Sequence, residues 1–188
     1  INPELGSFVF LSAILGNINL KQTAVSKDQC GSCRLCIDAC PTQALSPYQL
    51  NASRCLAYHN IEKRGERDAL YWDKWQDWLV GCDICQEVCP WNHQVEPSRA
   101  EEWLDSFSSY QINSFEELLT ITNTQFRKKF KSSALSRIKY IDFMRNAFIV
   151  IANLGRKDLL PLVKAWKERN PEPEIIEWKR CTQKLSEN

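Results

Sequence analysis

The chain has 188 residues, 44% of them hydrophobic, and a net charge of +1. That composition excludes a disordered or fibrous chain and supplies enough apolar side chains for a core, in one domain of ordinary size or a small domain with an appended piece. The longest apolar run, residues 8–15, is broken by Ser12 and is too short to cross a bilayer, so no membrane partner is expected.

Three regions follow in chain order. Residues 1–29 form an apolar lead-in, residues 30–95 hold the clustered cysteines, and residues 96–188 read as helices. The chain opens on Ile1 instead of methionine and carries no secretory signal, so a fragment of a longer cytoplasmic protein is expected.

Of nine cysteines, eight lie between Cys30 and Cys89 and Cys181 stands apart. Tight clustering in a chain of this size favours metal over a disulfide framework, and the reducing cytosol agrees with that. The first run is Cys30-x2-Cys33-x2-Cys36-x3-Cys40-Pro41. Two-residue spacers let one loop wrap a 4Fe–4S cube, while the fourth cysteine, before proline, reaches a second cluster. Small Gly31 and Ser32 let the backbone N–H groups approach the sulfides. The second run, Cys82-x2-Cys85-x3-Cys89-Pro90, is one ligand short. Leu79 stands where its first ligand belongs, and Cys55 is the cysteine left to fill the gap. One cluster then takes Cys30, Cys33, Cys36 and Cys89, and the other takes Cys40, Cys55, Cys82 and Cys85. Zinc needs four ligands per site, usually as two C-x2-C pairs, and does not explain a third cysteine at x2 or the Cys-Pro endings. With the cysteine set complete, His59 and His93 are read as surface or hydrogen-bonding groups, and Cys181 as an ordinary thiol on a C-terminal helix.

Between the runs, Trp72, Trp75 and Leu79 are expected on one face of a helix over residues 71–80, packed in the core and shielding a cluster from water. Further on, Ser114 can cap a helix with Glu117 completing a capping box. Phe143, Met144, Ala147, Phe148, Ile151 and Leu154 recur at helical spacing, and Gly155 follows as a stop. Asp158 can cap the next helix, which Asn170-Pro171 ends, and a third is expected over residues 174–185. The resulting fold class is mainly α: a ferredoxin-like two-cluster 4Fe–4S module followed by a HEAT-like helical tail of about one and a half units. No phosphate loop, nucleophile elbow or HExxH motif is present, so the residues by themselves specify an electron-transfer module.

The residues around the cysteines carry a resemblance. Gly6-Ser-Phe-Val-Phe-Leu11, Arg54-Cys55-Leu-Ala-Tyr58, Ile61-Glu-Lys-Arg-Gly65, Gly81-Cys-Asp-Ile-Cys-Gln-Glu-Val-Cys-Pro-Trp-Asn92, Phe126-Arg-Lys-Lys-Phe130 and Arg145-Asn-Ala-Phe-Ile149 together resemble the epoxyqueuosine reductases. The resemblance implies a cobalamin-dependent oxidoreductase that reduces an epoxide on a modified wobble base of tRNA to an alkene, the last step of queuosine synthesis. It also implies that the cobalamin-binding catalytic domain and its acid precede this segment. The chain would then be the electron-delivering C-terminal part, with no catalytic residue of its own and no turnover alone. Carried over by motif, Leu11, Ala57, Cys82 and Asp83 would approach cobalamin; Ala57 stands where the family often has serine. Arg64 falls at a tRNA contact.

Residues 126–157 hold nine basic side chains against Asp142, a local charge of +8, after an acidic stretch over residues 96–118. With the resemblance, Arg127, Lys128, Lys129, Lys131, Arg137 and Lys139 are expected on tRNA phosphate. The expected partners are tRNA and an external electron donor, the expected state a monomer. The rival readings are a generic two-cluster ferredoxin-like module, which leaves the basic helical tail unexplained, a reductive dehalogenase relative, which the helical tail and Cys-Pro-Trp-Asn disfavour, and a non-catalytic RNA-binding module with a structural cluster, which two clusters close enough to exchange electrons disfavour.

Overall fold

In the computed structural model, residues 1–93, 95, 110–172 and 174–187 are described; residues 96–109, most of the acidic stretch, lie outside them. The architecture is mainly helical. The lead-in is extended and exposed, with Phe10, Leu11, Ile14 and Leu15 standing in solvent. Its first turn is tied down: Gly6 is buried at φ +69°, where a Cβ would lie 2.2 Å from Asn92 Oδ1. The amide of Ser7 donates to that oxygen at 2.7 Å, and Asn92 Nδ2 donates to the Ser7 hydroxyl.

The cysteine region contains two short helices, α1 (Leu35–Ala39) and α2 (Ile84–Glu87), packed against each other, and a hairpin of β1 (Leu45–Ser46) with β2 (Gln49–Leu50). A π-helical turn, Tyr58–Glu62, follows Cys55. The helical part comprises α3 (Phe115–Thr120), α4 (Asn123–Lys129), α5 (Tyr140–Asn153), α6 (Leu160–Arg169) and α7 (Ile176–Ser186).

α5 is the axis of the molecule. Twelve of its residues are buried, so it is apolar on most faces, as a helix packed on several sides must be. Phe143, Phe148 and Ile151 meet Phe126, Phe130 and Trp166 in the main core, while Ile149 joins Leu56, Tyr71, Trp72 and Trp75 under the cysteine region. The helix ends as expected. Gly155 adopts φ +62°, and the amides of Gly155 and Arg156 return to Ala152 and Ile151, closing a Schellman motif.

Three local expectations are corrected. Residues 71–80 do not form one helix: a 3-10 segment, Ala69–Lys74, buries Tyr71 and Trp72, and Gln76 then takes φ +50° and turns the chain, so Leu79 leaves that face for the main core. Ser114 does cap α3, but Glu117 reaches the amide of Asn113 instead of closing the box; the reciprocal box is Thr122 with Gln125 on α4. Asp158 caps nothing, because Arg156 occupies its carboxylate, and Leu159 precedes α6 without a side-chain cap.

One buried polar network joins the cysteine region to α5 and α7. Arg67, 1% exposed, donates to Asn146 Oδ1 (2.9 Å), to the carbonyls of Lys63, Gly65 and Asp142 (2.7–2.9 Å), and to the Asp142 carboxylate (3.4 Å). Its amide donates to Glu177, whose other oxygen receives Arg145 at 2.5 Å. Removing one partner of such a pair strands a buried charge, which costs about 3–5 kcal/mol, whereas an exposed pair is worth about 0–1 kcal/mol. Arg67→Leu is therefore expected to destabilise by about 3–5 kcal/mol. Arg34→Leu, which breaks an exposed pair with Asp38, should cost under about 1 kcal/mol. Denaturant unfolding followed by tryptophan fluorescence checks this, and equal losses would contradict it.

Candidate metal centre

Each cysteine run folds as a turn leading into a short helix. In the first, the Asp28 carboxylate accepts the amides of Cys30 (3.0 Å) and Gly31 (3.2 Å) and the Tyr48 hydroxyl (2.5 Å). Gly31 takes φ +51°, and the Cys33 amide closes back on the Cys30 carbonyl. α1 follows, with Cys36 near its start and Cys40 at its end; α2 carries Cys85 and is followed by Cys89.

Because α1 and α2 pack together, the ends of the two runs interleave. Cys36 and Cys89 are electrostatic neighbours of Cys30, Cys40 and Cys55 are neighbours of Cys82 and Cys85, and Cys36 also neighbours Cys85. Cys30, Cys33, Cys36, Cys85 and Cys89 line an open cavity of about 280 Å³ together with Leu35, Leu45 and Trp91, so Cys85 stands where the two groups meet. Cys55, 27 residues from Cys82, is thus brought to the second group. Among the described residues no three His, Cys, Asp or Glu side chains close on one point as the ligands of a single ion do. Thiolates that each hold a separate iron of a cube have no need to. The soft, all-sulfur donor set suits iron–sulfur clusters.

The two groups differ in environment. Cys30 and Cys33 are exposed, the other six half-buried. Burial pushes Cys85 up to about 11, with Cys82 and Cys55 adding to it, and burial likewise raises Cys82. Cys40 is also raised by burial, but the Ala44 amide at 3.3 Å and the Thr42 hydroxyl favour its thiolate and leave it lowered overall. Leu56, Tyr71, Trp72, Trp75 and Ile149 form an apolar shell against which Cys82 packs.

Of the two roles expected for His59 the structure shows the hydrogen-bonding one: the ring is buried, Nε2 sits 2.8 Å from the Ser53 carbonyl, and the ring packs on Tyr71. His93 is exposed, 3.2 Å from the Glu87 carbonyl. Ala57 and Cys82 are half-buried and Asp83 exposed, while Leu11 is 94% exposed in the lead-in.

The basic residues divide in space. Lys129 pairs with Glu117 at 3.0 Å, Arg137 with Glu62, Arg156 with Asp158 and Glu116, and Arg145 with Glu177. Arg127, Lys128, Lys131 and Lys139 are exposed and have no ion pair among the described residues. Phe126 and Phe130, with ring centroids 4.8 Å apart, anchor that turn in the core. Arg64 donates to the carbonyls of Ile61 (3.0 Å) and Arg137 (2.7 Å), so two residues 73 apart in sequence stand together.

Residues 29–92 match the 4Fe-4S double cluster binding domain. An epoxyqueuosine reductase of Leadbetterella byssophila is 37% identical over 150 residues, 80% of this chain and 49% of the relative. The chain is similar in sequence to epoxyqueuosine reductases. It spans about half the length of the curated relatives it matches. The epoxyqueuosine reductase of Bacillus subtilis superposes with a TM-score of 0.81 at 30% identity, over 99% of this chain and 50% of that one. A further epoxyqueuosine reductase, solved with an epoxyqueuosine-modified tRNA-Tyr stem loop, superposes at 0.66 with 25% identity, over 89% of this chain and 53% of that one.

Sequence reasoning missed Asn60, Arg67 and Glu177; Asn146 lies inside a quoted motif but without a role. Long-range polar pairs leave no local spacing to find. Cys181 is buried on α7, and burial pushes its thiol up to about 12. Since the thiolate is the nucleophile, iodoacetamide at pH 8 is expected to leave Cys181 unmodified in the iron-loaded protein until denaturant is added. Peptide mass spectrometry reads this, and early labelling would contradict the burial.

Proposed function

We propose that this chain is the electron-delivering part of an enzyme that reduces epoxyqueuosine in tRNA to queuosine, with cobalamin held mainly by a preceding domain. The observation that carries the reading is the interleaving of the two cysteine runs, in a chain whose helical part also presents exposed basic residues. Residues 1–29 lead in from the preceding domain, residues 30–95 are a ferredoxin-like cluster module, and residues 96–188 are a HEAT-like tail.

One 4Fe–4S cluster is assigned to Cys30, Cys33, Cys36 and Cys89, the other to Cys40, Cys55, Cys82 and Cys85. Such clusters supply single electrons; reduction of an epoxide to an alkene and water takes two electrons and two protons. The chain's own side chains hold and tune. The exposed Cys30–Cys33 side faces an external donor, and the apolar shell of Leu56, Trp72 and Trp75 keeps water from the second group, lowering the local dielectric. Leu11, Ala57, Cys82 and Asp83 are assigned to the cobalamin face, where Ala57 offers surface but no hydrogen bond.

The stem-loop complex of a relative supports a tRNA surface here. Arg127, Lys128, Lys131 and Lys139 are the principal phosphate contacts, their charge unspent within the chain. Lys129, Arg137 and Arg64 also belong to this surface. They reach phosphate by exchanging Glu117, Glu62 and a carbonyl for it, so each contributes less.

Anaerobic reconstitution is expected to give about eight irons per chain. Cys55→Ala should degrade one cluster, while Cys181→Ala keeps both at a cost of about 1–2 kcal/mol. Iron analysis with reduced-state EPR decides this; full iron and an unchanged spectrum in Cys55→Ala would contradict the assignment. In the full-length protein, replacing Arg127, Lys128 and Lys131 with alanine should reduce the slope of log tRNA affinity against log salt by about two to three units. Affinity should fall for all tRNAs alike, because phosphate contacts carry little sequence information. An identical slope would show that these charges are only solvated.

A further inference from the structure

The second cysteine run lacks a ligand at Leu79, so no metal–sulfur bond holds residues 79–81 in place. Side-chain amides do so instead. Asn60, fully buried, donates Nδ2 to the Gly81 carbonyl at 2.7 Å and accepts the Gly81 amide on Oδ1 at 2.9 Å. This two-way bracket is what a neighbouring β-strand would provide, supplied by one side chain. Asn146 of α5, also fully buried, donates Nδ2 to the carbonyls of Asn60 (2.7 Å) and Leu79 (3.1 Å), and its Oδ1 is held by Arg67.

The bracketed atoms sit next to the thiols. Gly81 immediately precedes Cys82 and takes φ +76°, and Asn60 lies in the π-helical turn that follows Cys55. The amide of His59, one residue before Asn60, bonds the Cys55 carbonyl at 3.2 Å. Cys55 and Cys82 thus arrive on separate segments whose separation is fixed by Asn60, and both segments are fixed to the helical part by Asn146.

Resting on the cluster assignment above, we propose that Asn60 and Asn146 are positioning residues for the cluster of Cys40, Cys55, Cys82 and Cys85, replacing the tether that a cysteine at position 79 would give. Neither is one of the assigned ligands. Their amides set the distance between two ligand-bearing segments and leave the cluster of Cys30, Cys33, Cys36 and Cys89 independent of them. Both amides are used in donor and acceptor roles, so an aspartate or a leucine of similar size cannot replace either fully.

The test uses the full-length iron-loaded protein and compares Asn60→Leu, Asn60→Asp and Asn146→Leu with Asn153→Leu. Asn153 makes the same kind of bond from α5, to the Trp72 carbonyl at 2.7 Å, but touches no ligand-bearing segment. The readouts are iron content and the reduced-state EPR of each cluster, the second cluster being the signal that Cys55→Ala removes. Asn60→Leu and Asn146→Leu are expected to lose or shift only that signal, with loss of up to about four of eight irons, while Asn153→Leu keeps both signals. Asn60→Asp, which keeps the acceptor and loses the donor, should fall between Asn60→Leu and wild type. Unchanged second-cluster spectra in all three, or equal damage to both clusters or from Asn153→Leu, overturns the proposal. Activity is not a readout, so a wild-type protein that reduces no epoxide would remove the enzymatic reading and leave this result standing.

Discussion

A guanidinium has five N–H donors and keeps its charge at any physiological pH, so burying Arg67 obliges the surrounding chain to meet it. The structure does so with the carbonyls of Lys63, Gly65 and Asp142, the carboxylate of Asp142 and the amide oxygen of Asn146. Those partners come from the loop after Cys55 and from α5. Satisfying one side chain therefore fixes the cysteine region against the helical axis. A hydrophobic contact could slide by an ångström at little cost; a forked donor with several named acceptors cannot.

The consequences run in both directions from that point. Towards the cysteines, Asn146 passes the constraint to Asn60 and Leu79, and Asn60 to Gly81, so the backbone before Cys82 is set from α5. Towards the tail, Glu177 accepts the Arg67 amide and Arg145, bringing α7 against the same helix. The basic turn of Phe126 and Phe130 is seated in the core that α5 organises. A surface proposed to take tRNA phosphate and thiols proposed to hold clusters thereby share one rigid support.

The legible parts of the sequence were the local ones. Cysteine spacing in residues 30–40 and 82–89 is set by the geometry of a turn entering a short helix, and the structure folds both runs that way. α5 and its Gly155 stop were legible because apolar period and a left-handed glycine act within one or two turns. The helix expected over residues 71–80 failed because Gln76 adopts a left-handed conformation that periodicity cannot show. The Asp158 cap failed because a neighbouring arginine competes for its carboxylate. A count of charges along residues 126–157 could not see Glu117, Glu62 or Glu177, each of which meets its basic partner across at least ten residues. The same separation hid Asn60, Arg67 and Asn146, whose bonds to one another span 79 and 86 residues.

A single-turnover experiment on the full-length protein asks whether electrons stored on the proposed clusters reduce an epoxide on tRNA. The clusters are reduced, excess reductant is removed, and epoxyqueuosine-containing tRNA is added under anaerobic conditions. Cluster reoxidation is followed by visible absorption and EPR, and queuosine is quantified by nucleoside mass spectrometry. The clusters are expected to lose two electrons for each queuosine formed, and tRNA already carrying queuosine should leave them reduced. Queuosine formed with both clusters still reduced, or reoxidation that is the same with either tRNA, would contradict the proposed electron delivery.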